Sequence, residues 1–177
     1  MRKPLTMLIV PAVALVVAGC GSSAATKSTT AAPTTSSTPG KGAVQISTRT
    51  LPGLGVVLVN GQGRTLYVFA PDKAKKVTCL GGCASVWPPL ALSAAQKPAV
   101  SGQARSSLTA SDPDPSGGRV ATYAGWPLYT YVTDASPGTA KGQALQLNGG
   151  LWYVISPSGT VIHTKPSTGT STGATGY

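Results

Sequence analysis

Hydrophobic and polar positions divide the chain into stretches of different character. Residues 5–17 are almost wholly apolar, whereas residues 21–42 are Ser, Thr, Ala, Pro and Gly with two lysines and no aromatic residue. The second composition buries too little apolar surface to offset the entropy of ordering its backbone. Short apolar and aromatic runs then follow one another up to residue 164. We predict a leader over residues 1–19, a lipidated tether over 20–43, one domain over 44–164 and a disordered tail over 165–177.

The pattern inside the domain is typical of short β-strands joined by tight turns. Residues 56–59 and 66–69 flank Asn60-Gly61, which supplies the positive φ that hairpin turns need, so they predict a first hairpin. Two further hairpins are predicted, from residues 119–123 with 128–132 and from 151–155 with 160–164. A single helical turn is expected around residues 84–86, before two prolines end it. The predicted fold class is mostly all-β.

One motif occurs twice in the domain. Its residues are Tyr67, Phe69 and Asp72 in the first copy and Tyr129, Tyr131 and Asp134 in the second, each 62 positions later. Side chains alternate along a strand, so the two aromatic side chains of each copy share one face. The opposite face carries Leu66 and Val68 in the first copy but includes Thr130 in the second. We therefore assign the aromatic face to the core.

The segment before Cys20 is typical of an exported lipoprotein. A positive start precedes the apolar run, and Val17-Ala18-Gly19-Cys20 follows as a lipobox, in which the cysteine thiol takes the lipid. The apolar run is shorter than the roughly 20 residues that a membrane-spanning helix needs. We expect a mature chain that begins at Cys20 and is anchored in membrane lipid by acyl chains. It would face the extracytoplasmic side of the cell membrane.

The residues around both copies resemble a family of secreted-repeat lipoproteins defined by Tyr-x-(Phe/Trp/Tyr)-x-x-Asp. The likeness continues through Trp87-Pro88-Pro89-Leu90 in the first copy and through Gly142-Gln143 and Trp152-Tyr153-Val154 in the second. The resemblance covers about residues 55–160. It implies an extracytoplasmic, mostly β domain of two related hairpin-rich repeats, and it brings no established reaction, ligand or cofactor.

Cys79 and Cys83 remain as a pair once Cys20 carries lipid. In an oxidising compartment such a pair predicts a small structural disulfide. The alternative is a redox couple, although the spacing is not Cys-x-x-Cys and no βαβ pattern surrounds it.

Asp72 and Asp134 each end an aromatic strand and begin a loop. Their carboxylates either close the following turn by accepting backbone N–H bonds or contact a ligand beside the aromatic wall. Trp87 and Trp152 are candidate ligand contacts, although an indole flanked by prolines, as at Trp87, is more often part of a core.

The charge of the chain is strongly basic, with 14 Lys and Arg against four Asp. Removing the leader leaves a net charge of about +8. A nucleic-acid-binding protein would concentrate these charges on one face or arm, whereas here most are scattered singly. A weak attraction to anionic lipid head groups or to an anionic envelope polymer, or to a protein partner, is therefore expected instead.

The sequence offers little for catalysis or metal binding. His163 is the only histidine, and with two paired cysteines it cannot complete a zinc or copper site. No cofactor motif is present. We predict a non-enzymatic binding or structural module without cofactor. The alternatives are a thiol- or electron-transfer protein that uses Cys79 and Cys83, and an unrecognised hydrolase.

Overall fold

The computed structural model of the chain describes residues 43–72, 76–93 and 96–165. The predicted leader, the lipidated Cys20, nearly all of the tether and the tail from residue 166 lie outside these residues. Within the described ranges no helix has the length and apolar character that crossing a membrane requires.

Short strands make up most of the regular structure. They are β1 (Gln45–Leu51), β2 (Gly55–Asn60), β3 (Tyr67–Phe69), β4 (Ala91–Leu92), β5 (Ala99–Val100), β6 (Thr109–Pro113), β7 (Arg119–Tyr123), β8 (Trp126–Pro127), β9 (Leu145–Leu147), β10 (Gly150–Ile155) and β11 (Val161–Ile162). A short helix, α1 (Gly82–Val86), ends just before Trp87-Pro88-Pro89, as expected. The prediction of a mostly β fold is confirmed.

The strands form three small sheets, each built around one central strand. β1 pairs with β2 and β5, β7 pairs with β4, β6 and β8, and β10 pairs with β3, β9 and β11. In the last of these sheets Trp152 lies opposite Phe69 and Val154 lies opposite Tyr67. A strand from the second half of the domain is therefore paired with the motif strand of the first half.

The first and third predicted hairpins form, although the first is brief. At the first, the Asn60 side chain accepts hydrogen bonds from the backbone of Gln62 and Arg64, both at 3.0 Å, and so closes the turn. The chain stays beside β2 only as far as Leu66, and then β3 turns away to pair with β10. The third hairpin, β10 with β11, forms with Val154 opposite Ile162.

The second predicted hairpin also forms, but it is as brief as the first. β7 pairs with the two residues of β8, the Leu128 N–H donates to the Ala121 carbonyl at 3.0 Å, and residues 129–132 form no continuous strand. Tyr129 instead makes isolated bridges to Tyr67 and to Pro89. Beyond Leu128, contacts distant in sequence thus replace the local pairing that the pattern indicated.

The core has two parts, which lie on opposite faces of β3. We call the first the aromatic core; it contains Tyr67, Phe69, Trp87, Tyr129 and Trp152. We call the second the aliphatic core; it includes Leu58, Leu66, Val68, Leu128 and Ile155. The aromatic face is buried, as predicted. The opposite face of β3, with Leu66 and Val68, is buried as well. The polar Thr130 at the equivalent face of the second copy did not indicate this.

Candidate functional site

The two motif copies meet at their first tyrosines. The Tyr67 backbone N–H donates to the Tyr129 carbonyl at 2.9 Å, and the Tyr129 N–H donates to the Tyr67 carbonyl at 3.0 Å. This reciprocal pair places equivalent residues of the two copies face to face. An approximate twofold relation between the copies follows.

The motif carboxylates are exchanged between the two copies. The Tyr67 hydroxyl donates to Asp134 and the Tyr129 hydroxyl donates to Asp72, both at 2.5 Å. All four side chains are fully buried. Each copy therefore supplies the acceptor that the tyrosine of the other copy needs.

The second oxygen of each carboxylate closes the loop that follows it. Oδ1 of Asp72 accepts hydrogen bonds from the backbone N–H and the hydroxyl of Thr78, at 2.8 and 2.5 Å. Oδ1 of Asp134 accepts the backbone N–H of Lys141 at 2.9 Å. The structure thus favours the turn-closing interpretation of both aspartates. Because their carboxylates are buried and hydrogen-bonded, a ligand has no open path to them.

Burial governs the ionisation of Asp72, Tyr67 and Tyr129. It raises the pKa of the Asp72 carboxyl above its ordinary value of 3.8, although the hydrogen bonds from Thr78 and Tyr129 act in the opposite direction. Burial also raises the pKa of the Tyr67 and Tyr129 phenols far above their ordinary value of 10.0, and the hydrogen bond to a carboxylate adds to this effect. Both phenols therefore remain protonated donors around neutral pH.

The raised pKa of Asp72 predicts a pH-dependent stability. Folded Asp72 holds its proton at a pH where the unfolded chain has released it, so this carboxyl makes the free energy of unfolding fall as the pH rises above about 4. Urea unfolding from about pH 4 to neutral pH, on wild type and Asp72→Asn, measures this contribution. The wild type should lose stability relative to the variant as the pH rises, and parallel profiles would contradict the expectation.

Four aromatic rings form a continuous stack in the aromatic core. The ring centroids of Phe69 and Trp152 are 4.2 Å apart, those of Trp152 and Trp87 are 3.8 Å apart, and those of Trp87 and Tyr131 are 4.1 Å apart. The outer members, Phe69 and Tyr131, are equivalent residues of the two copies. The stack therefore has the same approximate twofold relation as the Tyr–Asp pairs.

The motif tyrosines pack edge-on against this stack. Tyr67 meets Trp87 at 5.4 Å between centroids, and Tyr129 meets Trp152 at 5.2 Å. The Trp87 ring leaves no room for a side chain at Gly142, because a Cβ atom there would lie 2.7 Å from the ring. Edge-to-face and offset stacked pairs of this kind stabilise a core beyond their buried area.

Trp87 and Trp152 do not serve as ligand contacts, contrary to expectation. Both side chains are fully buried inside the stack, so a ligand cannot reach them in the folded domain. Trp152 Nε1 donates to the Leu147 carbonyl at 3.1 Å, whereas Trp87 Nε1 has no partner among the described residues. Tyr131 is only partly buried, unlike the other three aromatic residues of the motif.

Cys79 and Cys83 lie at disulfide distance, with their Cα atoms 5.2 Å apart. Cys79 is 1% exposed and belongs to the aromatic core. Its neighbour Thr78 binds Asp72, and the Cys83 carbonyl accepts the Trp87 N–H at 2.8 Å. The Cys79–Cys83 disulfide therefore connects the loop after Asp72 to the helix α1, which positions Trp87. This arrangement favours the structural disulfide, because the Cys79 sulfur is buried and poorly accessible to a partner thiol, whereas Cys83 is partly buried. The redox alternative stays a prediction.

A pocket of about 360 Å³ opens on the surface, outside the aromatic core. Its lining combines three aromatic rings with aliphatic side chains: Trp126, Tyr153, His163, Val68, Ala70, Leu151 and Val161. The sequence argument that His163 completes no metal site did not predict this pocket. It could have been found from Tyr153, which must face away from the buried Trp152 and Val154 on either side of it. Among the described residues no group of three or more His, Cys, Asp or Glu could hold a metal ion.

Comparison with known proteins finds one match, to a family model described as a secreted repeat of unknown function. The model matches residues 48–91 and 112–156, so each match contains one copy of the motif and one of the two stacked tryptophans. No curated protein and no solved structure matches the chain. The match confirms the two-repeat organisation and fits an extracellular module. Because the two matched ranges span half of the 177 residues, the chain belongs to this family of secreted repeats of unknown function.

Proposed function

We propose that this protein is a lipid-anchored module that binds an anionic polymer of the cell envelope without catalysing a reaction. The anchor would be Cys20, whose lipobox and preceding apolar run support lipidation. The tether over residues 20–43 would hold the two-repeat domain away from the membrane surface.

The observation that carries polymer binding is the distribution of charge on the folded domain. Asp72 and Asp134 are fully buried, and Asp112 and Asp114 are partly buried. In contrast, most of the described basic side chains are exposed: Arg49, Lys76, Lys97, Arg105, Lys141 and Lys165. The surface is therefore more basic than the composition alone indicates, and it should attract polyanions.

The surroundings of His163 support a non-enzymatic role. A histidine acts as a general base on a nearby nucleophile and is itself oriented by a third group. The described residues that line the His163 pocket are aromatic or aliphatic, and they include no serine, threonine, cysteine or carboxylate. Their chemistry suits binding better than hydrolysis.

Changing Cys20 to alanine tests the anchor. The variant should leave the membrane fraction or remain uncleaved, because acyl chains contribute about 0.8 kcal/mol per buried methylene and stable anchoring takes two chains. Fractionation of membranes and mass spectrometry of the exported chain measure the result. A Cys20→Ala protein that is cleaved and yet stays as tightly bound as wild type would disprove lipidation at Cys20.

A further inference from the structure

We infer that the surface pocket of Trp126, Tyr153 and His163 binds one sugar ring of an acidic polysaccharide. The inference rests on the proposed polymer-binding function and assigns it a site and a ligand class. The three rings come from different parts of the chain, in β8, in β10 and just after β11. The Tyr153 and His163 rings meet at an interplanar angle of 68° with centroids 4.5 Å apart. They form an angled aromatic wall, and the pocket volume lies at the lower end of the range for small-ligand sites.

The polar atoms of these rings have no hydrogen-bond partners within the described residues. The hydroxyls of the three fully buried tyrosines are all bonded: Tyr67 to Asp134, Tyr129 to Asp72, and Tyr123 to the Pro157 carbonyl at 2.7 Å. The hydroxyl of the partly buried Tyr153 can bond a ligand in the pocket, as can the Trp126 indole N–H and the His163 imidazole. A sugar ring has an apolar C–H face for the aromatic rings and hydroxyls for these polar atoms. An acyl chain would leave them unpaired when it excluded water.

A second cavity extends the first one. It measures about 400 Å³ and is lined by Ala70, Pro71, Gln146, Gly150 and Leu151, of which Ala70 and Leu151 also line the first pocket. The Gln146 amide adds a hydrogen-bond donor and acceptor to this extension. Two adjoining cavities suit a ligand that continues beyond one ring, such as a polymer.

The tryptophan of this site has no counterpart in the first copy of the motif. Trp126 stands where the first copy of the motif has Arg64, 62 positions earlier. Trp126 lies outside the four-ring stack; it packs against the aliphatic core and keeps part of its surface exposed to the pocket. The surplus of exposed basic residues selects an acidic polymer over a neutral one.

Retention of the exported protein, purified in mild detergent, on beads that carry one of three polymers tests the inference. Polygalacturonate is an acidic sugar polymer, polyglutamate carries carboxylates without sugar rings, and dextran carries sugar rings without charge. Wild type should bind polygalacturonate best. Trp126→Ala and His163→Ala should weaken that binding about tenfold or more and leave binding to polyglutamate unchanged. Leu147→Ala, which removes an exposed apolar side chain outside the lining, is the matched control.

Tryptophan fluorescence gives a second readout, in which the polymer is free in solution. Trp87 and Trp152 are fully buried, so a fluorescence change on adding polygalacturonate should come from Trp126 and vanish in Trp126→Phe. Thermal melts show whether each variant is folded. Equal binding of polygalacturonate by wild type, Trp126→Ala and His163→Ala would overturn this site but leave the proposed polymer binding intact. Equal or better binding of dextran would overturn the acidic ligand class, and failure of both acidic polymers to bind would overturn the proposed polymer binding as well.

Discussion

Replacing Trp152 by alanine should lower the free energy of unfolding by about 3–5 kcal/mol, the usual loss for a buried tryptophan. Trp152 is fully buried, stacks between Phe69 and Trp87 and receives the edge of Tyr129. A domain of this size has about 5–15 kcal/mol of stability in total, so the variant should unfold readily or express poorly. Urea unfolding followed by circular dichroism measures the loss.

Trp126→Ala is the matched control for this prediction. It removes the same side chain from a partly exposed position outside the stack, so its cost should be about 1 kcal/mol. By the same reasoning, Phe69→Ala should lower the free energy of unfolding more than Tyr131→Ala does, because Tyr131 is only partly buried. Equal losses at Trp152 and Trp126 would show that the aromatic stack contributes no more to stability than the rim of the surface pocket.

The sequence pattern predicts the burial of the motif aromatics but not their partners. Alternation along a strand is a local property, and it correctly places Tyr67 and Phe69 on a core face. The stack of Trp87 on Trp152 joins residues 65 positions apart, and the two residues stand at different distances from their motif tyrosines, 20 positions in one copy and 23 in the other. No fixed offset in the sequence reveals such a contact.

The strand pairing and the surface pocket show the same limit. The pattern around Asn60 indicates a hairpin, yet β3 leaves β2 because pairing with β10 buries both of its faces. His163 looked isolated in sequence because Trp126 and Tyr153, which line the same pocket, reach it only through the packing of β8 and β10. Propensity and spacing describe neighbours in the chain, whereas these sites are made by neighbours in space.

The exchanged Tyr–Asp pairs predict energetic coupling between the two repeats rather than within each repeat. Tyr129→Phe should cost about 1.5–3 kcal/mol, because it removes a hydrogen bond from a buried carboxyl. Asp72→Asn should be milder, because an amide can still accept the bonds from Thr78 and donate to the tyrosine oxygen. When both changes are combined, their effects should differ from additivity by about 0.5–3 kcal/mol, as expected for residues in contact.

The decisive comparison is the same tyrosine variant combined with the other aspartate. Tyr129→Phe with Asp134→Asn should be additive within about 0.5 kcal/mol, because Asp134 bonds to Tyr67 and not to Tyr129. Tyr67→Phe should show the mirror result, with coupling to Asp134→Asn and additivity with Asp72→Asn. Free energies of unfolding from urea titrations of wild type, the four single variants and the four double variants give each coupling energy. Coupling of Tyr129 with Asp134, within its own copy, would contradict the exchange. Coupling across the copies would explain why the motif needs both a tyrosine and an aspartate: neither repeat can satisfy its own buried polar groups, so the two halves must fold together.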